Sequence, residues 1–251
     1  MGVGILINPL YGEIRAGYPG IMGILRNSIT RPIDLRFERD RMIESLEVRR
    51  QRRKSLYELV CEISCDLVQR AMAFLFLLAS SPILFLVSLW IMFDSPGPIF
   101  FRQERMGLGG RIFKIVKFRT MIYDAERETG PVLARVGDER VTYAGRILRH
   151  LRIDEIPQMW NVLMGQMALV GPRPERPEIY DSIITEMPEF FKRLEVKPGI
   201  SGLAQIRGDY HTEPKDKLRY DLLYIKRRSL WLDVRIIAIT MYICLLKKGA
   251  C

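Results

Sequence analysis

The sequence predicts a mostly helical α+β monotopic membrane protein. Its parts are a kinked, re-entrant membrane helix, interfacial helices and a small domain with a short β-hairpin. Three observations predict this. From Ala71 to Phe93 the chain carries no charge, which is long enough to cross a hydrocarbon core of about 30 Å as a helix. Ser80-Ser81-Pro82 interrupts that run at its midpoint, and both of its flanks are basic. Beyond Asp94 the composition is that of a soluble domain, with two short apolar runs around Gly107–Gly110.

Composition narrows the class. With 251 residues the chain suits one or two domains. At 48% apolar and 10% aromatic residues it is too hydrophobic for disorder, and at 27% charged residues it is not polytopic. The mean hydropathy of +0.02 therefore averages unlike parts. The net charge is +10, which suits anionic headgroups or phosphates. A nucleic-acid reading would rest on charge alone, and no nucleic-acid partner is expected. Four cysteines without a CxxC pair, and only two histidines, make a poor zinc site. Cys61 and Cys65 read as small apolar residues on one helix face. Met1 to Ile29 lacks a basic region followed by a hydrophobic core, so no cleaved signal is expected.

The elements follow in order. Residues 1–60 form a basic lead-in to which no role is assigned; within it, 31–58 read as a helix with a basic face. Residues 61–94 carry the membrane helix. Pro82 removes a backbone donor and bends it, and Ser81 can satisfy a carbonyl freed at the bend. Arg50, Arg52, Arg53, Lys54 and Arg70 lie upstream, and Arg102, Arg105 and Arg111 downstream. Positive charge marks the cytoplasmic side, so a helix that enters, breaks at Pro82 and returns is at least as natural as a span. Residues 95–200 form the core. Here Asp94–Pro98 is a turn, and Ile99–Phe101 and Ile112–Phe118 read as a hairpin. Helices are expected around 146–151, 156–163 and 187–194. Residues 201–251 form a C-terminal extension, with a basic helix at 217–228 and an apolar run from Ile236 to Leu246. That run is too short to span and suits an interfacial or core helix.

Three segments hold residue types suited to phosphate chemistry. In KFRTMIYDAERETGP, Lys117 and Arg119 precede Asp124, Glu126 and Glu128. Arginine offers forked donors to phosphate oxygens, and a carboxylate can hold Mg²⁺ or attack phosphorus. In LVGPRPERP, Pro172 and Pro174 fix the backbone around Arg173. In LRIDEIPQMWNVLM, Asp154 and Glu155 open a helix bearing Gln158. Taken one at a time, these also read as charged strand ends, a surface turn and helix-dipole complements.

Together, in this order, the segments resemble the bacterial sugar transferases, the monotopic phosphoglycosyl transferases. The resemblance is carried by DSPGPIFFRQERMGLGGRIFKIVKFRTM, the DAE that follows, and DERVTYAGRILRHLRIDEIPQMWNVLMGQMALVGPRPE. It runs from about residue 66 to 246. KPGISGLAQIRGDY and the segment after it are similar to the extension of exopolysaccharide-pathway members. The resemblance implies transfer of a sugar 1-phosphate from a UDP-sugar to polyprenyl (undecaprenyl) phosphate, with release of UMP. It implies Mg²⁺, an Asp-Glu pair and a covalent phosphosugar on the aspartate. Asp124 matches the nucleophile, also a metal ligand, by its distance from the Lys-Phe-Arg-Thr-Met motif. Members with an adjacent pair place the glutamate next to the aspartate, whereas this chain has Asp124-Ala125-Glu126; Glu126 is the candidate and Glu128 an alternative. Lys117, Arg119, Arg173, Asp154, Glu155 and Gln158 are the implied substrate-binding set. The implied location is the bacterial inner membrane, with the catalytic domain on its cytoplasmic face against anionic lipid. The extension is a candidate homodimer surface. A scaffold that keeps the fold without catalysis is the competing reading, supported only by the displaced glutamate.

Overall fold

The first element, α1, spans Leu56–Asp94, 39 residues, or about 58 Å of helix. It belongs to a computed structural model that describes residues 56–125, 137–208 and 213–245. The basic lead-in through residue 55, Glu126 and Glu128 lie outside the described residues. The helix starts well before the uncharged run. Its first part carries Asp66 and Arg70, paired at 2.7 Å across one turn. It is also assigned without interruption through Pro82, where a break was expected. Pro82 has no N–H for the carbonyl of Leu78, four residues back. Ser81 Oγ donates to that carbonyl at 2.7 Å, and Ser80 Oγ donates to Phe76 O. The serines thus satisfy carbonyls next to the proline, the place at which a continuous helix can bend.

One stripe of α1 faces protein. Ala73, Ser80, Val87 and Ile91 are buried. Their spacing of seven, seven and four residues puts them on one side of a helix. The other faces expose Leu75, Leu78, Phe85, Leu86 and Phe93. Only 11% of the apolar window in Leu59–Asp94 is buried, whereas a core helix of a soluble protein would be mostly covered. The long apolar helix is thus compatible with membrane association.

Strands β1 (Phe100–Met106) and β2 (Ile112–Phe118) pair antiparallel, from Phe100↔Phe118 to Met106↔Ile112. The expected hairpin is present, but β1 runs five residues past Phe101 to Met106. Arg102, Gln103, Glu104 and Arg105 concealed it, since one face of the strand meets solvent. Phe118 is fully buried with Val87, Ile91 and Leu148, which seats the end of the hairpin on α1.

Next comes α2 (Tyr143–His150), capped by Thr142 Oγ1, which accepts from Gly145 N at 3.0 Å. Asp94, at the end of α1, accepts from Ala144 N at 3.2 Å and satisfies a second orphan donor. A 3₁₀ turn at Ile153–Gln158 leads into α3 (Met159–Leu163). Strand β3 (Ala168–Val170) pairs in parallel with β4 (Gly199–Ser201) across α4 (Pro177–Glu186) and a 3₁₀ turn at Pro188–Glu195. The extension comprises α5 (Leu203–Arg207), α6 (Pro214–Arg227) and α7 (Leu230–Leu245). Ile236 of α7 and Tyr224 of α6 are buried with Val170, so the extension packs on the small parallel sheet.

Candidate active site

The site is built around the segment that leaves β2. Lys117 is the penultimate residue of that strand, and its Nζ donates to Glu155 Oε1 at 2.7 Å. Arg173, in the loop after β3, donates from Nη2 to the same oxygen at 2.6 Å. Three of the sequence-predicted residues therefore meet on one carboxylate. Burial alone would push Glu155 up, but the charges of Arg173 and Lys117 outweigh it and hold the carboxyl well below its usual range. Its partner charge in turn raises Arg173 against burial, while burial lowers Lys117. Asp154 is the fourth member. Burial and the neighbouring Glu155 push its carboxyl up to about 6. The cluster sets two cations, Lys117 and Arg173, on one firmly ionised carboxylate, and both are donors of the kind that meet an incoming phosphate.

Two other predicted residues lie apart from that cluster. Arg119 is buried and its guanidinium turns to the end of α1. It donates to Ser95 O at 2.5 Å, Ser95 Oγ at 2.9 Å, Pro96 O at 3.0 Å and Ile91 O at 3.4 Å. These bonds satisfy the Ser95 and Pro96 carbonyls just past the helix end. Gly97, at φ +120°, makes room for it: a Cβ there would stand 2.3 Å from Arg119 Nη1. Gln158 is fully buried, and its Nε2 has no hydrogen-bond partner among the described residues.

Asp124 sits on an exposed turn just past Met121, in the left-handed region at φ 65°. Facing it is a segment that residue-by-residue reading passed over. Met121 bridges Val141, Ile122 N donates to Arg140 O at 2.9 Å, and Thr142 N donates to Thr120 O at 3.1 Å. This pairing brings Asp138 and Glu139 beside the Asp124 turn. Arg140 grips both oxygens of Asp138, Nε to Oδ1 at 2.9 Å and Nη2 to Oδ2 at 2.6 Å, and reaches Ala125 O from Nη1 at 3.4 Å. The signal that could have found the pair is its adjacency, Asp138-Glu139, within the DERVTYAG stretch.

Asparagine 161 is a further residue that motif reading left without a role. Asn161 accepts from Val116 N at 3.0 Å and donates to Lys114 O at 2.8 Å, which ties α3 to the open edge of β2.

A family model described as Bacterial sugar transferase matches residues 61–247, most of the chain. The chain belongs to the bacterial sugar transferase family. It is similar to an Aeromonas hydrophila UDP-N-acetylgalactosamine-undecaprenyl-phosphate N-acetylgalactosaminephosphotransferase, 44% identical over 68% of this chain and 41% of that protein. It is also similar to UDP-glucose:undecaprenyl-phosphate glucose-1-phosphate transferases. The one from Caulobacter vibrioides is 46% identical over 64% of this chain and 62% of the relative. The one from Escherichia coli is 38% identical over 71% of this chain and 39% of the relative. The chain thus spans less than two thirds of the length of each. In the matched region the sugar transferase contains the whole Lys117–Glu155–Arg173 cluster and both aspartate turns.

Proposed function

We propose that the protein transfers a sugar 1-phosphate from a UDP-sugar to undecaprenyl phosphate, with release of UMP, at a membrane surface. The observation that carries this reading is the convergence of Lys117 and Arg173 on Glu155, whose sequence neighbour is Asp154. The names of the relatives support the substrates, which are proposed for this chain by that likeness.

Asp154, rather than Asp124, is the proposed nucleophile. Adjacent Asp-Glu pairs occur at Asp138-Glu139 and Asp154-Glu155; of the two, the second lies among the cations that would hold a diphosphate, whereas Arg140 already occupies both oxygens of Asp138. An Asp154 oxygen would form a bond to the β-phosphorus while the bond to the bridging oxygen of UMP breaks. A phosphate oxygen of the lipid would then attack the same phosphorus and release the carboxylate, leaving a sugar diphosphate lipid. Two half-reactions suit substrates that arrive from water and from the bilayer. Arg173 and Lys117 would hold the diphosphate, with Arg119 acting through the loop it braces. Asp154 and Glu155 are hard oxygen donors of the kind that would hold Mg²⁺ together with a substrate phosphate. When bound, Mg²⁺ would neutralise diphosphate charge.

Membrane placement is part of the proposal. α1 would enter the bilayer with its exposed faces toward lipid and return the domain to the cytoplasmic side, bent at Ser81-Pro82. The test of the chemistry is UMP release from UDP-glucose and UDP-N-acetylgalactosamine. Asp154→Asn should lower the rate by about 10³-fold or more, whereas Asp124→Asn and Asp138→Asn should retain most of it. A wild-type rate for Asp154→Asn, with loss in Asp124→Asn, would return the nucleophile to Asp124.

A further inference from the structure

The loop that presents Arg173 is held from three sides. On one side it meets β4: Gly171 N donates to Ser201 O at 2.8 Å and Gly199 N donates to Pro172 O at 3.0 Å. On another it meets the hairpin: Met106 N donates to Glu175 O at 3.0 Å and Arg105 Nη1 donates to Pro174 O at 3.1 Å. The third hold comes from Arg193, whose Nη2 donates to the carbonyl of Arg173 itself at 2.9 Å. Pro172 and Pro174 already restrict the residues around that carbonyl. The bond from Arg193 holds the peptide plane between Arg173 and Pro174.

Arg193 is itself fixed by the C-terminal extension. Its Nε donates to Asp221 Oδ2 of α6 at 2.7 Å, and its guanidinium lies 4.4 Å from the centroid of the Phe190 ring. Both ends of this ion pair are buried, with 4% and 1% of the side chains exposed. A buried pair of this kind contributes little net stability over an apolar replacement, and its best-attested use is to specify one arrangement. Neither residue is exposed enough to bind a substrate directly. We infer that Arg193 and Asp221 are positioning residues, through which helix α6 of the extension sets the phosphate-facing Arg173.

This inference rests on the reading that Arg173 holds the diphosphate, so the test separates the two. UDP with Mg²⁺ is the probe, titrated against the full chain in detergent. Arg173→Ala should weaken UDP binding about tenfold. Arg193→Lys keeps the charge but loses the planar fork that reaches two acceptors. It should weaken UDP binding about fivefold without changing the circular dichroism spectrum. Asp221→Asn, nearly the same size, is the second variant and should act in the same direction. In Arg173→Ala the further change Arg193→Lys should have no effect, because its influence passes through Arg173. A merely structural role would give independent, multiplying losses, and that result overturns the inference. So does unchanged UDP binding in a folded Arg193→Lys or Asp221→Asn. If Arg173→Ala binds UDP as the wild type does, the phosphate role of Arg173 fails first and the inference falls with it.

Discussion

At the residue scale, the site depends on carboxylates forced into different states by their neighbours. Glu155 and Asp154 are consecutive, yet one is held ionised by two cations and the other is pushed up to about 6. The linkage has a definite sign. A carboxyl whose folded pKa lies above its unfolded value binds its proton more tightly in the native state. Asp154 therefore contributes stability that is full below about pH 4 and lost as pH rises through about 6. Glu155 acts oppositely: its contribution is present above the unfolded value of 4.5 and is lost on acidification. Asp154→Asn, which cannot ionise, should thus stabilise the protein at pH 7.5 by about 1 kcal/mol relative to wild type. The gain should shrink at pH 5. Thermal midpoints of both proteins at the two pH values check this; a pH-independent difference would mean that Asp154 does not titrate there. The motif LRIDEIPQ made both carboxylates candidates. Their opposite behaviour depends on Lys117 and Arg173, which lie 38 and 18 residues from Glu155 in sequence.

At the element scale, the joint between α1 and the domain is made by Arg119, Ser95, Pro96 and Gly97. Substituting Gly97 would place a Cβ 2.3 Å from Arg119 Nη1 and 3.0 Å from Tyr123 Cβ, at a φ that side chains rarely adopt. Gly97→Ala should therefore destabilise the protein by about 2–3 kcal/mol, and denaturant unfolding should show it. A loss below half a unit of kcal/mol would indicate that the joint is loose. Hydrophobic runs made α1, the hairpin and α7 legible, and a basic helical pattern did so for α6. The α6 helix begins at Pro214, and α7 begins at Leu230 rather than Ile236, because Pro can open a helix and Asp233 sits in a first turn. The pair β3 and β4 gave no such signal. Each is three residues long, and they pair in parallel across a 28-residue interval, 171–198. The turn at Pro188–Glu195 lies where a helix was expected, but it is 3₁₀.

At the scale of the whole molecule, the proposed chemistry requires the site to sit where a lipid phosphate lies. The exposed faces of α1 and the charged pair Asp66–Arg70 near its start are consistent with that depth. Lys197, just ahead of β4, also pairs with Asp66, and Gln69 Oε1 accepts from Leu169 N at 2.9 Å. The long apolar helix is thereby fastened to the same small sheet that holds the Arg173 loop. If α1 returns to the side it enters, labels at Val48→Cys and Arg111→Cys in a background free of other cysteines should both react from the cytosol. Labelling from opposite sides would establish a span.

The sequence by itself determined the family, the apolar helix with its Ser-Pro feature, the hairpin and the cations that could meet a phosphate. These are carried by local composition, periodicity and short motifs. Only the tertiary structure decided which of those residues meet. It sent Arg119 to the end of α1, joined Lys117 and Arg173 on Glu155, and set Asp138-Glu139 against the Asp124 turn. It also buried Arg193 with Asp221 behind the Arg173 loop. The physical reason is that a side chain's partners are chosen by packing between distant segments, and one sequence position carries no record of what will be brought beside it.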